Sequence, residues 1–277
     1  MTFPDLRPSP LAGTWYEANP ARLAKQIDEW LEKANIPNLN GQVMGVIAPH
    51  AGHKYSGFVA AHAFKTFQGF EPEVVVVTAP FHNYVPHPLI TTSHKAYATP
   101  LGNIEIDQIA LGELQKNLDL QITKIEKDKE HSLEIELPFL QRVLKNKFKL
   151  LPLMIRVQEA EISKQLGLAL TKTFTNKKVL FVASTDLSHF YEQKTANILD
   201  NEMLNCFESF HPETIFEAEK TGKGFACGHA AVASTTWATQ ALGANKIQRL
   251  YYATSGDVTK DYSSVVGYGA AVNLKTI

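Results

Sequence analysis

Residues 74–78 read Val-Val-Val-Val-Thr, five β-branched side chains in a row. A run without an amphipathic face fits a strand buried on both sides, as in a parallel sheet covered by helices. Residues 43–48, 149–155 and 179–184 are further short apolar runs of strand length. Helical patterns lie between them. Asn19-Pro20 offers an N-cap and a helix-compatible proline, and Leu23, Ile27, Trp30 and Leu31 follow on one face of a helix that ends near 35–37. Helices are also predicted over 58–67, 108–118, 130–144, 159–173, 195–210, 212–219 and 228–242, with Pro138 expected to bend or break the third of these. Short strands are predicted at 89–92 and 103–106, and 246–255 and 264–274 close the chain as antiparallel additions. With no repeat, low-complexity tract or linker, the alternation predicts one domain over residues 1–277. Its fold class is α/β: a three-layer α/β/α sandwich around a mostly parallel, mixed central sheet.

The 277 residues carry 27 Lys plus Arg against 28 Asp plus Glu, a formal charge of -1, with no basic block to neutralise a run of phosphates. Nucleic acid is therefore not expected as a partner. No apolar run approaches the ~18–20 residues that span a bilayer, and residues 1–10 lack a signal-peptide profile, so no membrane partner and a cytoplasmic location are expected. Two cysteines, Cys206 and Cys227, are too few for a disulfide framework, whereas histidine occurs ten times.

In open α/β sheets, ligands collect beyond the carboxyl ends of the strands. Three of the loops that leave the apolar runs carry histidine: Pro49-His50-Ala51-Gly52-His53, Ala79-Pro80-Phe81-His82, and Thr185-Asp186-Leu187-Ser188-His189. Each imidazole taken singly fits a loop cap. Three at equivalent places with a carboxylate point instead to a transition-metal site, since neutral imidazole binds Fe, Cu and Zn while the carboxylate ligates or orients. Cys227 lies in Gly222-Lys223-Gly224-Phe225-Ala226-Cys227-Gly228-His229, a glycine-rich turn opening a helix, where the helix dipole is expected to lower the thiol's pKa and favour a thiolate ligand or nucleophile. Cys206, between Asn205 and Phe207, reads as a core residue. Glu130-His131-Ser132-Leu133-Glu134 reads either as acids at a helix N-terminus or as a segment presenting His131 as an acid–base group. G-x-S-x-G, Walker, H-E-x-x-H and C-x-x-C motifs are absent from the sequence.

Taken together, Ala12-Gly13-Thr14-Trp15-Tyr16, Pro49-His50-Ala51-Gly52 with Tyr55-Ser56-Gly57, Pro80-Phe81-His82, Glu130-His131-Ser132-Leu133-Glu134 with Leu137-Pro138-Phe139-Leu140, Ser184-Thr185-Asp186-Leu187-Ser188-His189, Cys227-Gly228, and Ser255-Gly256-Asp257 with Gly267-Tyr268 form an ordered set. In this order the chain resembles the Memo family (mediator of cell motility), whose bacterial and archaeal members are called AmmeMemoRadiSam system protein B. The resemblance implies a fold similar to class III extradiol dioxygenases, with metal ligands His50, His82 and Cys227. It also implies that Asp186 and His189 line the same pocket and that His131 faces it, so that His131, Asp186 and His189 are the candidate catalytic residues. Where the family has Tyr, Ser and Pro, this chain has His53, Phe81 and Glu17; His53 is a candidate extra ligand and Phe81 is expected to make the pocket mouth more apolar.

The leading functional expectation is a metal-dependent, dioxygenase-like oxidoreductase. Its cofactor would be iron or copper, with zinc as a further candidate, and its substrate a small phenolic molecule. Thiolate in place of carboxylate softens the site toward Cu(I) or Zn, so extradiol activity does not follow from the fold. The alternatives are a module that binds a peptide or small ligand in the same pocket without turnover, and a metal-handling or redox-protective protein.

Overall fold

A computed structural model describes residues 5–276. In chain order the elements begin with strand β1 (Leu6–Arg7), helix α1 (Pro20–Lys33), β2 (Gln42–Ala48), α2 (His53–Lys65) and β3 (Val74–Pro80). Then follow β4 (Leu89–Thr92), β5 (Ala96–Tyr97), β6 (Ile104–Glu105), α3 (Gln108–Asn117) and β7 (Ile122–Ile125). A 3-10 turn (Glu134–Glu136) leads into α4 (Leu137–Val143), followed by β8 (Lys149–Ile155), α5 (Ala160–Phe174), β9 (Val179–Ser184) and β10 (His189–Tyr191). The chain ends with α6 (Gln193–Glu208), α7 (Pro212–Thr221), α8 (His229–Ala241), β11 (Lys246–Thr254), α9 (Ser255–Thr259) and β12 (Val265–Lys275).

The large sheet runs β12-β2-β9-β3-β8-β4-β7, with β10 and β11 both paired to β12. Its centre, β2-β9-β3-β8, is parallel; β12 on β2, β11 on β12 and β4 on β8 are antiparallel. The predicted α/β sandwich with a mixed sheet is what forms. Every residue of β3 is buried, as its unbroken apolar run requires. Strand alternation divides the core by side of the sheet. Val46, Val75, Val77 and Val182 join one cluster with Leu23 and Ile27 of α1 and Phe64 of α2. Val74, Val76 and Phe181 face the other way, toward Leu111 of α3, Leu166 and Leu170 of α5 and Ala238 of α8. No helix among the described residues is long and apolar enough to cross a membrane.

Three local expectations need correction. Helix α2 starts at His53, not near residue 58, because the chain turns into it directly at Gly52. Pro138 does not break a helix over 130–144: it occupies the first turn of α4, where a proline's missing N–H costs nothing, and residues 130–133 form a turn ahead of it. The strand predicted at 103–106 is only Ile104–Glu105 and lies in a small separate sheet ordered β1-β5-β6.

Candidate metal centre

The carboxyl ends of β2, β3 and β9 are neighbours, so the residues that follow them meet at one sheet edge. His50 follows β2 and is buried; His82 follows β3 and is exposed; His131, from the turn before α4, is partly buried beside them. One ligand atom of each imidazole lies within 4.8 Å of the other two. The rings of His82 and His131 stack with centroids 4.7 Å apart, and the His50 ring stands edge-on to both at 5.5 and 5.4 Å.

Two of the three rings, His50 and His82, are hydrogen-bonded through Nδ1. His50 Nδ1 is 2.9 Å from Ser184 Oγ, at the last residue of β9. His82 Nδ1 is 2.9 Å from Glu130 Oε1, while the His82 backbone N–H donates to Glu130 Oε2 at 2.7 Å. His131 Nδ1 is 3.1 Å from Glu130 Oε1. Anchoring one ring nitrogen fixes the ring and leaves the other free to ligate. Burial, reinforced by the neighbouring imidazoles, pushes His50 well below the usual histidine range. His131 is brought down to about 4, by burial against the opposing pull of Glu130 and with help from His82. Burial would raise Glu130, but the His82 ring and backbone N–H and the nearby His131 outweigh it and hold the carboxyl at about 2. The cluster thus combines imidazole nitrogen donors with an anion behind two of them, a donor set that suits a transition-metal cation.

The turn carrying Glu130 and His131 is clamped from the other end of the chain. The buried Arg7 guanidinium donates to Asp128 at 2.5 Å, to Glu134 at 2.6 Å and to the Glu130 carbonyl at 3.0 Å, and lies over the Tyr97 ring. Trp15, partly exposed, packs on the His131 ring with centroids 4.4 Å apart.

Cys227 Sγ lies 3.1 Å from His50 Nε2 and accepts from the Asp186 backbone N–H at 3.3 Å. It touches the cluster through His50 and is not one of the three mutually close ligand groups. Its position depends on Gly228, where a Cβ would fall 2.2 Å from the Ser184 carbonyl; only glycine lets α8 start against the end of β9. The expectation of a lowered thiol pKa is overturned. Burial, together with the charge of Asp186, pushes Cys227 well above the ordinary thiol range, against the N–H that Asp186 donates. The sulfur precedes the N-cap of α8, and its desolvation exceeds any help from the dipole.

Asp186 Oδ1 accepts the backbone N–H groups of His50 at 2.8 Å and Ala51 at 3.3 Å, holding the loop after β2. Burial raises its carboxyl to about 7 against those two bonds. His189 Nδ1 is 2.8 Å from the Leu187 carbonyl, so Asp186 and His189, expected to line the same pocket, have separate hydrogen-bond partners. Phe190, beside His189, has a left-handed backbone (φ 66°) at a register shift between β10 and β12 and is 75% exposed. A bulge of this kind beside a site re-aims side chains.

His53 is not positioned as an extra ligand: its Nε2 lies 3.0 Å from the Ile135 carbonyl and its ring packs among Tyr16, Trp30 and Phe139 in the core. Phe81 likewise belongs to the core cluster and does not make the mouth apolar. Cys206 is partly buried against a third core cluster. Sequence reasoning missed the partners Glu130, Ser184, Glu136 and Arg7; only Glu130, adjacent to His131, carried a signal that could have found it. A cleft of about 420 Å³, lined by Met44, Phe70, Phe174, Lys178 and Leu242, opens at the amino ends of β2 and β9, opposite the histidines.

The chain matches the family described as Memo-like protein over residues 7–272. It is similar to a MEMO1 family protein of Nitrosopumilus maritimus, 33% identical over 270 residues that cover 96% of this chain and 98% of the relative. A MEMO1 family protein of Methanopyrus kandleri is 33% identical over 274 residues (95% and 96%), and one of Methanococcoides burtonii is 32% identical over 269 (96% and 99%). With its histidine-bearing loops inside a match of that extent, the chain belongs to the Memo-like family.

Proposed function

We propose that this chain is a non-haem metal protein of the oxidoreductase type, in which His50 and His82 hold iron or copper together with Cys227, and His131 stands at the same point. The observation that carries the reading is the three convergent imidazoles, with Nδ1 of His50 and of His82 hydrogen-bonded so that Nε2 of each is left to ligate. When bound, iron or copper would supply one-electron chemistry and Lewis acidity that side chains lack. The chain's own groups would receive a small phenolic substrate. His189, with Nδ1 turned to the Leu187 carbonyl, offers Nε2 to the phenol proton; Asp186 keeps the His50 loop in place; Trp15 shields His131 from water.

A second reading, the handling of a soft metal without turnover, is favoured by the Cys227 sulfur next to His50 Nε2. Anaerobic purification with elemental analysis, followed by oxygen-uptake assays with catechols, separates the two. Stoichiometric iron or copper with chelator-sensitive uptake supports the enzyme; stoichiometric metal without uptake supports handling. Absence of stoichiometric metal, with no binding of added Fe(II), Cu(I) or Zn(II), would remove both.

A further inference from the structure

Ser184 Oγ has three close polar neighbours: His50 Nδ1 at 2.9 Å, the Ser132 carbonyl at 2.6 Å and Glu136 Oε1 at 2.7 Å. A serine hydroxyl has one hydrogen and two lone pairs. The Ser132 carbonyl can only accept, so at that distance it takes the serine hydrogen. The other two neighbours must then donate to Ser184 Oγ. For His50 this requires a hydrogen on Nδ1 and a lone pair on Nε2, the atom facing the Cys227 sulfur. For Glu136 it requires a proton on the carboxyl. We propose that Glu136 is a neutral carboxylic acid whose O–H donates to Ser184 Oγ, and that Glu136 and Ser184 together lock His50 in the tautomer that presents the Nε2 lone pair to the pocket.

A second feature agrees independently. Glu136 is fully buried, and its other oxygen, Oε2, has no hydrogen-bond partner. An ionised carboxylate would leave a desolvated anionic oxygen unpaired there, and no cation among the described residues bridges to it; a neutral carbonyl oxygen is far cheaper to bury. Burial, with the charge of Asp186, also drives the Glu136 carboxyl well above the ordinary range. Glu130 differs in what reaches it: backbone N–H groups from His82, His131 and Ser132 point at its carboxylate and keep it ionised. Two buried glutamates six positions apart therefore hold opposite charge states, an anion behind His82 and His131 and a neutral acid behind His50. Glu136 is a positioning residue. Its use in ligation rests on the metal-centre reading above, but its protonation and the His50 tautomer are properties of the metal-free protein.

The test uses the full chain, metal-free, at neutral pH. The infrared difference spectrum between wild type and Glu136→Gln is expected to contain a carboxylic-acid carbonyl band, sensitive to deuterium, that the variant lacks. Long-range 1H–15N spectra of the histidine rings are expected to show His50 as the Nδ1–H tautomer in wild type. The same tautomer is expected in Glu136→Gln, whose amide N–H donates in place of the acid, and a mixed or Nε2–H form in Glu136→Leu. Zn(II) should bind Glu136→Gln like wild type and Glu136→Leu about 10–100-fold more weakly. Absence of the acid band, or an Nε2–H tautomer in wild type, overturns the proposal. If Glu136→Leu does not fold, the infrared and ring spectra of wild type and Glu136→Gln still decide. Wild type that shows the band and the tautomer but binds none of Fe(II), Cu(I) and Zn(II) supports the proposal and removes the metal-centre reading.

Discussion

Glu130 holds His82 twice, accepting its backbone N–H at 2.7 Å with one carboxylate oxygen and facing its ring Nδ1 at 2.9 Å with the other. Both the loop and the ring after β3 are thereby fixed by one buried anion that also lies against the His131 ring. Glu130→Gln is expected to fold but to lose about 10–100-fold in metal affinity, as when a ligand's hydrogen-bond partner is removed. Isothermal titration with Zn(II) checks this, and an unchanged affinity would leave Glu130 a purely structural acid.

The same carboxylate sets a pH dependence. Its pKa falls from the ordinary 4.5 to about 2 on folding, because the His82 ring and N–H donors outweigh the burial that would raise it. A carboxyl depressed on folding stabilises the protein above its unfolded pKa, and that stabilisation is lost as pH falls through the folded value. The contribution is on the order of 3 kcal/mol and disappears between about pH 4.5 and 2. Urea unfolding across that range should show a shallower loss of stability in Glu130→Gln than in wild type.

Cys227 in the metal-free protein should react slowly with iodoacetamide near neutral pH, because burial keeps the thiol protonated. Cys227→Ser should retain the fold yet lose most Cu(I) binding, since a neutral hydroxyl replaces a polarisable sulfur. Mass-spectrometric alkylation kinetics and competitive Cu(I) titration measure both, and equal Cu(I) affinity in the two proteins would take Cys227 out of the site.

Arg7→Met leaves Asp128 and Glu134 buried without their guanidinium partner. Removing one member of a buried ion pair costs about 3–5 kcal/mol, and here it also frees the turn that carries Glu130 and His131. Chemical denaturation should report that loss, accompanied by weaker metal binding; a stability change below about 1 kcal/mol would mean that the clamp is dispensable.

Gly228→Ala puts a methyl 2.2 Å from the Ser184 carbonyl, so α8 or the end of β9 has to move. Overpacking of this kind costs about 1–3 kcal/mol and should shift Cys227 away from His50. Gly112→Ala, in α3 with open space around the new methyl, is the control and should stabilise by about 0.4–1 kcal/mol.

What the sequence determined by itself is the local part of the molecule. The period-two and unbroken apolar runs specify β2, β3, β8 and β9, and their helical spacers make the sheet parallel at its centre; this places His50, His82 and Asp186 at one edge, because each follows a strand end within two residues. Tertiary structure decided the rest, since side-chain partnership depends on which distant segments pack together, and no short-range periodicity records that. Cys227 meets His50 across 177 positions, Glu130 meets His82 across 48, and Arg7 reaches the Glu130 carbonyl across 123. His131 joined the cluster through those long-range bonds. His53, equally suggestive as a residue type and only three positions from His50, turned into the core because α2 begins there and carries its ring against Tyr16, Trp30 and Phe139.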